Sequence, residues 1–143
     1  MNSSPLHSVS VAGVTVDDQG RVLLVRRRDN GQWQAPGGVL ELEERFEGGV
    51  VREVLEETGV RVEVERLSGV YKNLSKGVVA LVYRCHPIGG TAQPTDESVE
   101  VAWLTVEDAL NRMSPAFAVR VTDALNENVV PPGSRAHDGH TLL

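Results

Sequence analysis

The sequence predicts an α/β domain in which β-strands are interleaved with two or three helices. Three observations predict it. Runs rich in Val, Leu and Tyr recur at residues 9–16, 22–25, 60–71, 77–85 and 99–104, bounded by turn-forming residues. A long helical stretch, 44–58, ends at Gly59, the residue favoured at a left-handed cap. A length of 143 residues with 41% hydrophobic and 24% charged side chains suits one compact domain with its own core.

Each element has a local cause. Val9, Val11, Val14 and Val16 alternate with small residues before Asp17-Asp18-Gln19-Gly20, which predicts a strand leading into a hairpin. The return run Val22-Leu23-Leu24-Val25 is apolar on both faces, as in a strand covered on both sides, and it ends at the basic triplet Arg26-Arg27-Arg28. Pro36-Gly37-Gly38 follows Trp33, and the paired glycines permit close approach of another group to the backbone. After the helix come two strands, then a loop over 86–94 and a short strand over 99–104. Thr105 with Asp108 predicts a capped short helix, and Ser114-Pro115 predicts the start of another that runs to about Asn126. The expected domain therefore occupies residues 1–128. Residues 129–143, with Pro131-Pro132-Gly133 and no apolar periodicity, are expected to form a mobile tail in which His137 and His140 have no role.

Composition removes several function classes. Fourteen Lys and Arg against twenty Asp and Glu leave a net charge of −6, which disfavours polymeric nucleic acid as a partner. The single cysteine, Cys85, forms no intramolecular disulfide, and no segment reaches the roughly 20 apolar residues of a membrane span. A cytoplasmic protein without membrane partners is expected.

The helix 44–58 is unusually acidic. Glu53, Glu56 and Glu57 fall within an arc of about 100° at helical spacing, and Val51, Val54 and Leu55 are expected to pack on the opposite side. Like charges at this spacing disfavour a helix unless a cation compensates, and Arg52 offsets only part of them. Hard divalent cations take oxygen ligands shared between carboxylates and phosphates, which makes the cluster a metal-platform candidate beside its alternative as solvated surface. The longer pattern decides between them. Gly38, five residues, Glu44, seven residues, Arg52-Glu53-Val54, one residue, Glu56-Glu57, one residue and Gly59-Val60 resembles the Nudix box at all seven fixed residue types and both aliphatic positions. Glu43 stands where many members have glycine, and Gly48-Gly49 replaces an alanine-rich stretch.

The resemblance implies an α/β/α sandwich with a mixed β-sheet, in which the box forms a loop, a helix and a loop beside the substrate diphosphate. It further implies Mg²⁺, with Mn²⁺ as a substitute, held by Glu53, Glu56 and Glu57, by the carbonyl of Gly38, and by Glu44 as partner or supplementary ligand. Arg52 orients a glutamate of the cluster. Water attacks phosphorus, and Glu57 or Glu53, ahead of Glu97, takes its proton. Glu97 and Glu100 precede Trp103 in a stretch similar to the family's acidic segment, with surface charge as the equal alternative. Arg27 matches a phosphate-contacting position.

The implied activity is divalent-metal-dependent pyrophosphohydrolysis of a small nucleotide. The proline common in the ADP-ribose subgroup is absent around residues 75–78, and the tyrosine of diadenosine polyphosphate hydrolases has no match, since Tyr71 comes too early and Tyr83 too late. A nucleoside triphosphate or modified nucleotide is therefore the expected substrate. The alternatives are ADP-ribose or another nucleotide sugar, and a non-catalytic nucleotide sensor. By analogy with relatives the expected assembly is a homodimer.

Overall fold

The computed structural model describes residues 3–128 and 131–143. Its elements are β1 (Ser8–Thr15), β2 (Val22–Arg27), β3 (Trp33–Gln34), β4 (Gly37–Val39), α1 (Phe46–Thr58), β5 (Val60–Asn73), β6 (Val78–Gly90), β7 (Ser98–Leu104), α2 (Val106–Arg112), α3 (Pro115–Leu125) and β8 (Gly133–His137). They form a five-stranded mixed sheet, β4-β1-β6-β5-β8, and a three-stranded antiparallel sheet, β3-β2-β7. The expected hairpin is corrected here: after one bridge between Val16 and Val22, β1 and β2 part into different sheets. Strand β6 runs on through His86–Gly90, where a loop was expected, because it stays paired with β5 up to Val60.

Two apolar clusters flank the strands. Val11, Leu23, Val60, Val62 and Tyr83 pack with Val50 and Val54 of α1. Val14, Val22, Leu24, Tyr71 and Val82 pack on the other side with Ala109 and Met113 of the α2 region and with Val121 and Ala124 of α3. Consecutive residues of β2 point into opposite clusters, which explains why the whole run 22–25 is apolar. This is the α/β sandwich that the resemblance implies.

Helix α1 begins at Phe46 rather than at Glu44, because Glu44 turns back to accept hydrogen bonds from Arg52 and from the Glu41 amide. The expected packing face is also corrected. Val51 and Leu55 are exposed, whereas Gly49, Val50, Glu53, Val54, Glu57 and Thr58 are buried. Val50, Val54 and the two glutamates share one stripe at 3.6-residue spacing, so the acids and the apolar anchors face inward together. Gly49 has a packing reason as well, since a Cβ there would lie 2.8 Å from Leu40 Cδ1 and 2.9 Å from Glu44 Oε1.

The expectation for the C-terminal segment is corrected for its described part, while residues 129 and 130 lie outside the described residues. Strand β8 adds to the edge of β5 in parallel register, from Gly69 opposite Gly133 to Asn73 opposite His137. Backbone pairing needs no apolar alternation, so the pattern carried no sign of it. His137 is 1% exposed, and Arg135 makes two hydrogen bonds to Asp123 of α3.

Gly59 adopts φ 78° and closes α1 with a bond from its N–H to the Leu55 carbonyl. A Cβ there would lie 2.7 Å from the Thr91 carbonyl oxygen. Gly59→Ala is expected to lower stability by about 1 kcal/mol or more in urea denaturation, through both the left-handed strain and this contact.

Candidate active site

The site forms where α1, β4, the end of β2 and the loop before β7 converge. Glu53 and Glu57, one helical turn apart on the buried stripe of α1, face the Gly37–Gly38 backbone. The Gly37 amide donates to Glu57 Oε1 at 2.7 Å. At Gly38 a Cβ would lie 2.6 to 2.7 Å from the Glu53 carboxylate, so the absent side chain is what lets that acid sit against the strand.

Arg52 organises the outer side. It donates to both carboxylate oxygens of Glu44, at 2.6 and 2.8 Å, to Glu53 at 2.8 Å and to Glu56 at 3.3 Å. This guanidinium holds Glu44 down to about 2, well below the usual carboxylate range. Burial pushes Glu53 up, against the opposing bond from Arg52. Burial pushes Glu57 up to about 7, only partly offset by the Gly37 amide, and the neighbouring Glu53 adds to the rise.

Glu97 arrives from the far side of the chain. Ser98 is buried, and its hydroxyl donates to the Glu57 carbonyl at 3.1 Å, while Arg28 donates to the carbonyls of Asp96 and Ser98. These bonds fasten the loop to the end of α1. Glu53, Glu57 and Glu97 thereby each offer an oxygen within 4.8 Å of the others. Such an all-oxygen set fits a hard divalent metal.

The other expected residues are placed around this cluster. Glu56 and Glu44 are not in the three-carboxylate group. Glu56 borders an adjoining groove with Arg52 and Glu97. Glu100 forms a surface ion pair with Arg26 at 3.1 Å. The Gly38 backbone lines the cleft beside Glu53 and Glu57. The basic triplet divides three ways, helped by a bulge between Arg26 and Arg27: Arg26 points to Glu100, Arg28 clamps the loop, and Arg27 enters the cleft. Arg27 makes two hydrogen bonds to Asp29, at 2.9 and 2.8 Å. The positioning roles of Arg28, Asp29 and Ser98 carried no sequence signal, because each depends on contacts across the fold.

Comparison with known proteins identifies the family. The NUDIX domain model matches residues 6–125, and the chain belongs to that family. A MutT-like protein of Streptomyces ambofaciens is 55% identical over 141 residues, 99% of this chain and 90% of that protein. An ADP-ribose pyrophosphatase of Methanocaldococcus jannaschii is 32% identical over 108 residues, 71% of this chain and 63% of that protein. The solved Nudix hydrolase of Nitrosomonas europaea superposes with a TM-score of 0.79 over 94% of this chain and 82% of that one, at 23% identity, a likeness in fold alone. Nudix hydrolases use a divalent metal and act on small nucleotides, and this chain is a Nudix pyrophosphohydrolase. Among the described residues no helix is long and apolar enough to cross a membrane.

Two tests follow from the geometry. Gly38→Ala should displace the Glu53 carboxylate and weaken Mn²⁺ binding at least about tenfold, read by electron paramagnetic resonance. The raised pKa of Glu57 means that folding favours its protonated form, so that stabilisation is present below about 4.5 and is lost as pH rises through about 7. In EDTA, the stability of the wild type relative to Glu57→Gln should therefore fall between pH 4.5 and 7, measured by urea denaturation. A difference that stays level across that range would mean Glu57 titrates normally.

Proposed function

We propose that this cleft hydrolyses the diphosphate linkage of a small nucleoside triphosphate or modified nucleotide, with Mg²⁺ as the cofactor and Mn²⁺ as a substitute. The observation that carries the proposal is the convergence of Glu53, Glu57 and Glu97 within 4.8 Å, beside a side-chain-free strand and Arg27. A divalent cation bound there screens the diphosphate oxygens and makes a nearby water more acidic.

The chain's own groups do the rest. Glu53 and Glu57 would hold the metal with the Gly38 carbonyl, Glu56 would join them by turning from its 3.3 Å bond with Arg52, and Glu44 would support them through Arg52 or as a further ligand. Arg52 fixes the Glu53 carboxylate through its 2.8 Å bond. Glu57 or Glu53, ahead of Glu97, accepts the proton of the attacking water. A carboxyl group brought near neutrality by burial is suited to that exchange. Arg27 binds a phosphate oxygen by exchanging part of its pairing with Asp29. A homodimer in the cytoplasm completes the proposal by family analogy.

The triphosphate class is supported by the absence of the ADP-ribose proline mark at residues 75–78. ADP-ribose is the second reading, favoured by the 32% identical relative that bears that activity in its name. A nucleotide-sensing module is disfavoured, since Glu44, Glu53, Glu56 and Glu57 are all present.

The purified protein should cleave at least one of nucleoside triphosphates, oxidised nucleotides, ADP-ribose, NADH or diadenosine polyphosphates with Mg²⁺, and EDTA should abolish the reaction, as resolved by chromatography. Glu53→Gln and Glu57→Gln should each reduce turnover about 100-fold or more while the circular dichroism spectrum is retained. Normal turnover in both variants would remove these residues from the chemistry.

A further inference from the structure

Helix α1 ends in carbonyls that its own backbone does not satisfy, and its last turn carries no basic side chain to meet them. The segment between β6 and β7 meets them instead. The Gln93 amide donates to the Thr58 carbonyl at 2.9 Å, and the Ser98 and Thr95 hydroxyls donate to the Glu57 carbonyl at 3.1 and 3.5 Å. Glu57 therefore serves the cleft twice. Its carboxylate belongs to the three-acid cluster, while its carbonyl anchors the segment that brings the third acid, Glu97.

Glu97 needs such an anchor. Carboxylates whose oxygens lie within 4.8 Å of one another repel when ionised, and Glu97 is exposed, so an unrestrained side chain would turn into solvent. The turn around it is closed by hydroxyls. Ser98 is fully buried, and its hydroxyl accepts from the Thr95 amide at 3.1 Å, while the Glu97 amide donates to the Thr95 hydroxyl at 3.3 Å.

Arg28, just past the end of β2, holds the same turn from the other side. Its Nε donates to the Asp96 carbonyl at 3.1 Å and its Nη2 to the Ser98 carbonyl at 3.2 Å. These are the residues before and after Glu97, so one guanidinium brackets the acid. The preceding arginines are used differently, Arg26 on the Glu100 carboxylate and Arg27 on that of Asp29. A planar guanidinium with fixed donors can span two carbonyls, as a single ammonium group does not. Arg28 also lines the cleft with Glu53, Glu57 and Glu97, where its charge by itself opposes a bound cation.

We propose that Arg28 and Ser98 are positioning residues for the metal centre, holding Glu97 within reach of Glu53 and Glu57 through bonds to the backbone on both sides of it. The inference rests on the metal-dependent reading of the cleft. It gives a positive charge, unfavourable to a cation in its own right, a net favourable effect on cation binding through the acid that it places.

The sign of one substitution separates this role from charge alone. Removing a positive charge beside a cation site strengthens cation binding, whereas releasing Glu97 removes a ligand oxygen and weakens it. In Mn²⁺ titrations of the full chain followed by electron paramagnetic resonance, Arg28→Gln should bind about tenfold more weakly than the wild type. Ser98→Ala, which changes no charge, should weaken binding in the same direction and serves if the first variant does not fold. In a Glu97→Gln background neither substitution should weaken binding further, because each acts through Glu97. Unchanged or tighter binding in folded Arg28→Gln, or in Ser98→Ala should Arg28→Gln not fold, overturns the proposal. A loss equally large when Glu97 is already Gln also overturns it, and is the result that a merely structural cap of α1 would give. A wild type that binds no Mn²⁺ overturns both this inference and the reading it rests on. Arg28-dependent Mn²⁺ binding without hydrolysis of any nucleotide would refute the catalytic reading and leave this one standing; hydrolysis with Mn²⁺ binding indifferent to Arg28 would do the reverse.

Discussion

Glu53 and Glu57 point from α1 into the protein rather than away from it, and the site is organised around that constraint. A buried carboxylate is costly unless hydrogen-bonded or matched by positive charge. The structure meets this need with the Gly37 amide on Glu57 and the Arg52 guanidinium on Glu53. The first of these contacts depends on β4 passing close to the helix. That approach requires glycine, because a Cβ at Gly38 would overlap the Glu53 carboxylate and one at Gly37 would lie 2.3 Å from the Val11 carbonyl oxygen. The glycines couple the two sides of the cleft, joining the edge of the mixed sheet to the helix that supplies its acids.

The compensation is incomplete at Glu57, and this connects stability with function. Burial raises its pKa beyond what the Gly37 amide and Arg27 offset, and the nearby charges of Glu53 and Glu97 add to the rise. A folded chain that wanted only stability would place apolar side chains on this stripe, as it does at Val50 and Val54. Groups held away from their ordinary ionisation state recur at functional sites for this reason. The arginines show a related economy: of three successive positive charges, one lies at the surface, one fastens the Glu97 loop, and one remains at the cleft.

Past Gly37 and Gly38 the cleft opens into a second chamber of about 470 Å³, walled in part by α3 and β8. Pairing of β8 with β5 brings His137 against Phe117 of α3, and Arg135 occupies Asp123, which lies on the same helix as Arg120. Arg120 thus has aromatic rings, not a carboxylate, beside it. The strand contributes through backbone hydrogen bonds and a few polar side chains, with little apolar burial of its own.

The sequence by itself determined the alternation of strands and helices, the glycine end of α1, the Thr105 cap and the Nudix box. Each of these is written in residues near one another along the chain, where periodicity and capping chemistry act. It also identified Glu53, Glu57 and Glu97 individually. It did not determine which face of α1 is buried, because Val51, Val54 and Leu55 make an apolar arc as plausible as Val50 and Val54, and only the approach of β4 chooses between them. The division of β1 and β2 into separate sheets, the docking of β8 and the bracketing of Glu97 by Arg28 were likewise decided by the tertiary structure. Residues 82 positions apart, such as Gly38 and Arg120, acquire a shared cleft only when the sheet brings them together. Hydrogen bonding between strands leaves no pattern in the side chains that surround it.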